Sequence, residues 1–255
     1  MTGQRDGTIA LRTTRGTHRR SAHGVMAYTV ARLPDGYATA GFDGRVRIWD
    51  AALERELSTF THSGALIFSV SASSDGKFLL SAGAGVCCLW NVATGERIFE
   101  AANDHGVHGV AALASDADFW TGTGDDAELT VWRGADRVRT IPLDWPYNSA
   151  VTLTPDGSTA ILAEATGRVR AVDIGTGTAK VLHAAHEDWI RSVDVTANGR
   201  FVVSASQNYV GAVYDLEQGR LVDAASGGPV ATVCPAGPSS VVLVDNEGGL
   251  SRVDL

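Results

Sequence analysis

Cysteine is scarce in this chain, and the three present, Cys87, Cys88 and Cys234, are an odd number without the spacing of a disulfide framework. Successive strand residues point to opposite faces, so a Cys87–Cys88 bond or shared metal ligation is awkward. Reduced thiols in a cytoplasmic protein are expected. The first residues, MTGQRDGTIALRTTRG, have no apolar signal core, and no stretch reaches the ~18 apolar residues of a membrane span. Long basic runs are lacking too. The densest cluster, Arg19 and Arg20 after Arg12 and Arg15, sits in a chain of net charge −8. An acidic body repels phosphate backbones, so no nucleic-acid partner is expected, and these arginines read as a solvated strand face. The glycine-rich stretch Ala82–Gly83–Ala84–Gly85 lies between two strands and precedes no helix, so it lacks the geometry of a phosphate cradle.

What the chain does have is apolar residues, 44% of its 255, enough for a substantial core. A single domain of this length is often modular inside, and here one unit recurs. Its clearest copy begins at His23. A strand over 25–32 is followed by a Pro34–Asp35–Gly36 turn, a second strand over 37–40, an Asp43–Gly44 turn and a third strand, Arg45 to Asp50, alternating with period two. A fourth strand follows over 53–60. The third strands end in Trp49–Asp50, Trp90–Asn91, Trp132–Arg133, Val172–Asp173, Tyr214–Asp215 and Val253–Asp254, about 40 residues apart. The Pro–Asp–Gly turn returns at 155–157, with relatives at 74–76 and 197–199.

Four short strands per unit of about 40 residues predict an all-β fold, a β-propeller with four antiparallel strands per blade. The chain also resembles the WD40-repeat family, from His23 through Trp49–Asp50 and again from His186 through Tyr214–Asp215. The resemblance implies a buried hydrogen-bonded set of His, Ser or Thr, Asp and Trp in each blade, which His23, Thr39, Asp43 and Trp49 match in full. Other units depart from it: Ala84, Thr166, Asn208 and Glu247 stand at the turn Asp, and Val172 and Val253 replace the Trp. These units are expected to rely more on apolar packing.

Six blades are favoured, as repeats near 23–61, 62–103, 104–143, 144–185, 186–226 and 227–255 of a single domain 1–255. The last repeat lacks a fourth strand, and residues 1–22, with Thr17 to Ser21 as the strand, are expected to close the ring. Asp6 to Thr13 itself reads as a third strand, which keeps open a seven-bladed form or a longer array.

The resemblance places ligand-contacting positions at the start of each first strand and just before the turn Asp. Transferred, they give Met26, Tyr28 and Phe42; Leu66, Phe68 and Gly83; His108, Val110 and Asp125; Tyr147, Ser149 and Ala165; Trp189, Arg191 and Gln207; and Pro229, Ala231 and Asn246. Tyr28, Phe42, Phe68, His108, Tyr147, Trp189 and Arg191 are the candidate partner-binding residues, since aromatics with Arg are the composition of interface hot spots. Packing at the channel mouth is the competing reading, evenly balanced for Phe68.

The His105/His108 and His183/His186 pairs fall short of the three or four ligands of a zinc site, and His105 and His186 sit where the resemblance puts the structural His. No metal or cofactor is expected. The leading function is a non-catalytic scaffold or adaptor binding a protein or peptide segment on the top face of the propeller. The alternatives are a small-molecule or catalytic site with His108 and Asp125 as the acid/base candidates, or the propeller part of a larger sensor or receptor protein. Asp43→Ala leaves buried donors unsatisfied and is expected to cost about 1–3 kcal/mol of stability, measured by chemical denaturation.

Overall fold

A computed structural model describes the chain except for residues 1, 4, 14–15, 64–65, 74, 84, 103–109, 114–118, 124–126, 146–147, 197, 207–210, 226–229, 238–239, 246–249 and 255. The described residues form only strands and turns, in seven antiparallel sheets. Two compact units divide them: Met1–Asp126 with Thr130–Arg139, and Ala127–Leu129 with Thr140–Leu255.

The chain opens with a three-stranded sheet, β1 (Thr2–Gly3), β2 (Thr8–Thr13) and β3 (Gly16–Ser21). Four-stranded sheets follow. The first holds β4 (Ala27–Leu33), β5 (Gly36–Gly41), β6 (Arg45–Asp50) and β7 (Glu56–Thr61). The next holds β8 (Ser69–Ala72), β9 (Phe78–Gly83), β10 (Val86–Asn91) and β11 (Arg97–Ala102). A third is built from β12 (Val110–Leu113), β13 (Phe119–Thr123), β14 (Glu128–Arg133) and β15 (Asp136–Pro142). Then come β16 (Asn148–Leu153), β17 (Thr159–Glu164), β18 (Val169–Asp173) and β19 (Ala179–His183), followed by β20 (Ile190–Val195), β21 (Phe201–Ser206), β22 (Gly211–Asp215) and β23 (Arg220–Ala225). The chain ends with the three-stranded sheet β24 (Val230–Gly237), β25 (Ser240–Asp245) and β26 (Leu250–Asp254).

First strands stand beside first strands: β4, β8 and β12 in one unit, β16, β20 and β24 in the other. This is the arrangement of propeller blades, with sheets stacked on their neighbours within each unit. Second strands are therefore covered on both faces, and β21 (FVVSAS) is buried at every residue. Such continuous small and apolar runs are what a doubly covered strand needs. Outer strands are covered on one side, and in β7 (ELSTFT) only Phe60 is buried. Phe60 stacks on Trp90 of the next sheet with ring centroids 5.3 Å apart, in a core shared with Val46, Ile67 and Leu79.

Turn chemistry fixes the connections. At Ser73, Thr154 and Thr196 a hydroxyl donates to the Asp75, Asp156 or Asn198 side chain two residues on, at 2.6–2.7 Å. The following glycine N–H closes each turn on the Ser or Thr carbonyl. Gly76, Gly157 and Gly199 there take φ of +70, +69 and +73°, a region costly for a residue with a Cβ. Pro34–Asp35 differs, forming a two-residue hairpin between paired Leu33 and Gly36.

One expectation is corrected by the pairing. Residues 17–21 do not extend the sheet of β24–β26; β3 pairs along its length with β2, from Thr8↔Ser21 to Thr13↔Gly16. Only residues 14 and 15 separate the two strands, and so short a connection favours the local hairpin. This N-terminal sheet is docked on the β4–β7 sheet. The Gly7 carbonyl accepts from Ala22 and His23 N–H, both at 3.0 Å. Ile9, fully buried, packs with Ala22, Ala27, Trp49 and Leu53. Arg20 donates to the Leu53 and Glu54 carbonyls and lies 5.4 Å from the centre of the Trp49 ring. Ile9→Ala should lower the stability of this unit by about 2–4 kcal/mol in denaturant unfolding followed by tryptophan fluorescence.

Candidate functional site

Each first strand must be held where its leading residues face outward, and the β4–β7 sheet does so with a buried polar set. The Thr39 hydroxyl accepts from Trp49 Nε1–H at 2.9 Å and donates to His23 Nε2 at 2.9 Å. His23 Nδ1 lies 2.9 Å from both Asp43 Oδ1 and Arg47 Nη1, so the ring meets a carboxylate and a guanidinium on one side. Arg47 holds the other Asp43 oxygen at 2.8 Å. Burial would raise the Asp43 carboxyl, but the hydrogen bonds from His23 and Arg47 outweigh it and keep it below its usual range. Burial lowers the His23 pKa, partly offset by its bond to Asp43. His23 is thus a neutral structural group at neutral pH.

The units that lost this set are not simply apolar. In the β8–β11 sheet Ser81 is the hub, accepting from Trp90 Nε1–H at 2.8 Å and bonded to His62 Nδ1 at 3.0 Å. In the β16–β19 sheet the carboxylate has moved. Glu164, 2% exposed, pairs with Ala27's counterpart Asn148, at the place of Gly41. It binds Arg170 and accepts from Thr166 Oγ1 at 2.6 Å. Arg170 also stacks on Trp145, 4.0 Å from the ring centre, and the Trp145 N–H donates to Asn148 Oδ1 at 2.9 Å. The sequence carries a signal for this that turn matching overlooks: Arg170 follows Thr166 by the same four residues that separate Arg47 from Asp43.

The candidate contact residues sit on β-bulges. Pairing slips by one residue between Ala27 and Thr29, Asn148 and Ala150, Ile190 and Ser192, and Val230 and Thr232. The extra residues are Tyr28, Ser149, Arg191 and Ala231. A bulge re-aims the backbone at a strand end. Phe68 falls at the same place. It precedes Ser69, the partner of Ala82, as Tyr28 precedes Thr29, the partner of Ala40. A Cβ on Gly83 would lie 2.0 Å from the Leu66 carbonyl, and one on Gly41 2.2 Å from that of Met26, so both crossings demand glycine.

Tyr28, Phe42 and Phe68 come together in one cluster. Tyr28 stacks on Phe42 at 5.3 Å, and Phe68 meets both edge-on at 5.5 and 5.4 Å. Tyr28 remains 45% exposed while Phe42 and Phe68 are half-buried, so Phe68 contributes both packing and surface. In the other unit Trp189 is 52% exposed and Arg191 is exposed on the next bulge. His108, Asp125 and Tyr147 lie outside the described residues, as do His105, Gln207, Pro229 and Asn246. Among the described residues no group of three or more His, Cys, Asp or Glu side chains could hold a metal, and no helix is long and apolar enough to cross a membrane.

With sheets, turns and hubs in place, the comparisons have a physical counterpart. The WD domain, G-beta repeat family matches residues 54–91 and 179–211. These two segments match WD40 repeats. It is similar to the nuclear distribution protein PAC1-2 of Uncinocarpus reesii, 28% identical over 188 residues that cover 71% of this chain and 36% of that protein. It is also similar to the nuclear distribution protein nudF of Aspergillus niger, 24% identical over 206 residues covering 78% and 41%. The chain thus spans well under half the length of either relative. Similarity to WD40 proteins is consistent with a protein-interaction scaffold. Within the repeats, Glu164→Ala would leave Arg170, among the described residues, only Asp144, 3.6 Å away, and the Trp145 ring, and is expected to cost about 1–3 kcal/mol, measured by urea denaturation.

Proposed function

We propose that this WD40-repeat chain is a non-catalytic adaptor of the cytoplasm whose seven sheets are propeller blades. Its blades bind a protein segment through residues at the start of their first strands. The reading is carried by one observation: exposed aromatic and Arg side chains recur on the bulge, or beside it, in sheets of both units. A surface Trp at 52% exposure beside an exposed Arg is costly to leave in water and is the residue pair most enriched in binding hot spots. The Tyr28, Phe42 and Phe68 cluster adds a rigid apolar patch in the first unit. Buried, unbridged Cys87 and Cys88, with burial pushing the Cys87 thiol up to about 12, suit a reducing compartment. The names of the relatives, nuclear distribution proteins, support a role within an assembly.

The variant Tyr28→Ala/Trp189→Ala/Arg191→Ala should fold like the wild type and lose at least one partner in affinity purification from the native cell extract. Retention of every partner by the folded variant would overturn the docking assignment.

A further inference from the structure

The segment that presents Trp189 is tied down by an unusual pair. His183 ends β19 and His186 lies in the connection to β20, both buried, with ring centroids 5.6 Å apart. Both reach one hydroxyl: His186 Nε2 is 2.7 Å and His183 Nε2 3.4 Å from Ser204 Oγ. The Ala185 N–H donates to His183 Nδ1 at 3.3 Å, so that nitrogen carries no proton. His183 therefore holds its proton on Nε2 and donates to Ser204. The single Ser204 hydrogen is left for His186 Nε2, which puts the His186 proton on Nδ1. That buried atom has no hydrogen-bond partner among the described residues.

Neither ring has room for a second proton. On His183 it would go to Nδ1 and face the Ala185 N–H, donor against donor. On His186 it would go to Nε2, and Ser204 would lose its acceptor while a cation sat beside an unpaired N–H. Among the described residues the groups facing the pair are the Ser204 hydroxyl from β21, the Tyr214 ring from β22, 6.1 Å from His183, and the backbone at Gly167 in the β17–β18 turn. Among the described residues no carboxylate touches either imidazole. The His23 site differs in having a carboxylate, Asp43, 2.9 Å away, which offsets part of the burial there, with Arg47 at the same distance opposing it. Asn208 holds the corresponding sequence position in this repeat.

We propose that His183 and His186 form an acid-sensitive anchor for the 184–191 segment, so that acidification frees Trp189 and Arg191 while the segment after His23 keeps its place. This deepens the docking reading and rests on it for its biological meaning. Burial lowers both pKa values from 6.5 to about 4, and for His183 the neighbouring imidazole adds to it. The folded state then binds fewer protons than the open one between these limits. The anchor is held in full above about pH 6.5 and weakens as pH falls toward about 4.

Amide hydrogen exchange on the full chain, corrected for intrinsic rates, tests this without a partner. Protection of the peptide covering 184–191 should fall at least about tenfold between about pH 7 and about pH 5, while that covering 22–28 changes far less. In His183→Asn the side-chain oxygen can still accept from Ala185 but does not titrate, so only His186 remains to take up a proton and the loss of protection should be clearly smaller than in the wild type. Unchanged protection in the wild type, an equal loss in both peptides, or an undiminished loss in His183→Asn would overturn the proposal. Partner binding by the Trp189→Ala/Arg191→Ala variant at about pH 7.5, where the anchor is intact, reads the docking assignment separately.

Discussion

A buried side-chain hydroxyl in the second strand is the constraint from which three of the described sheets take their form. Thr39, Ser81 and Ser204 occupy the same place, and each ties the third-strand aromatic, the incoming His, or both to the middle of a sheet. One small oxygen can accept from an indole and donate to an imidazole, so three segments distant in sequence are fixed by a single atom. Buried donors left without that oxygen would each cost about 1–3 kcal/mol, which makes the arrangement all but obligatory once the sheets stack. Everything that faces the solvent at the start of the first strands, including Tyr28, Phe68 and Arg191, is positioned from this interior point.

Much of this was legible in the sequence, and for a physical reason. Turn residues and the spacing of third-strand aromatics repeat because each sheet solves the same packing problem, and repetition is visible without coordinates. The full set at His23, Thr39, Asp43 and Trp49 could be assigned through the resemblance to WD40 repeats, whose positions these residues match. What could not be read was substitution between positions. Glu164 restores the partner of Arg170 from the end of a strand rather than from the turn, and no turn-by-turn match reveals that. Strand partnership at the N-terminus was equally opaque. Gly16 to Ser21 has the pattern of an outer strand, and only pairing decides which neighbour it joins. The positions named at the start of the first strands coincide with one-residue slips in pairing at Tyr28, Ser149, Arg191 and Ala231, which no residue type announces in the sequence.

Variation in the interior set also gives the repeats different physical characters. Where a carboxylate accompanies the histidine, as at Asp43, it offsets part of the burial that lowers the His23 pKa. Where the carboxylate is replaced, two outcomes appear. Glu164 with Arg170 and Trp145 forms an ion pair under an aromatic ring, while His183 and His186 share one hydroxyl with nothing to receive a proton. A repeat protein can in this way keep one architecture and distribute rigidity unevenly along it.

The claim that the hydroxyl is the organising atom is tested most directly by a double-mutant cycle on Thr39→Ala and Trp49→Phe in the full chain, with stability read by denaturant unfolding. Phe keeps most of the Trp packing and removes the N–H, so the cycle isolates the bond to Thr39. A coupling of about 1 kcal/mol or more is expected, because the second substitution removes a partner already orphaned by the first. Additivity within about 0.3 kcal/mol would show that the hydroxyl and the indole act independently, and would contradict it.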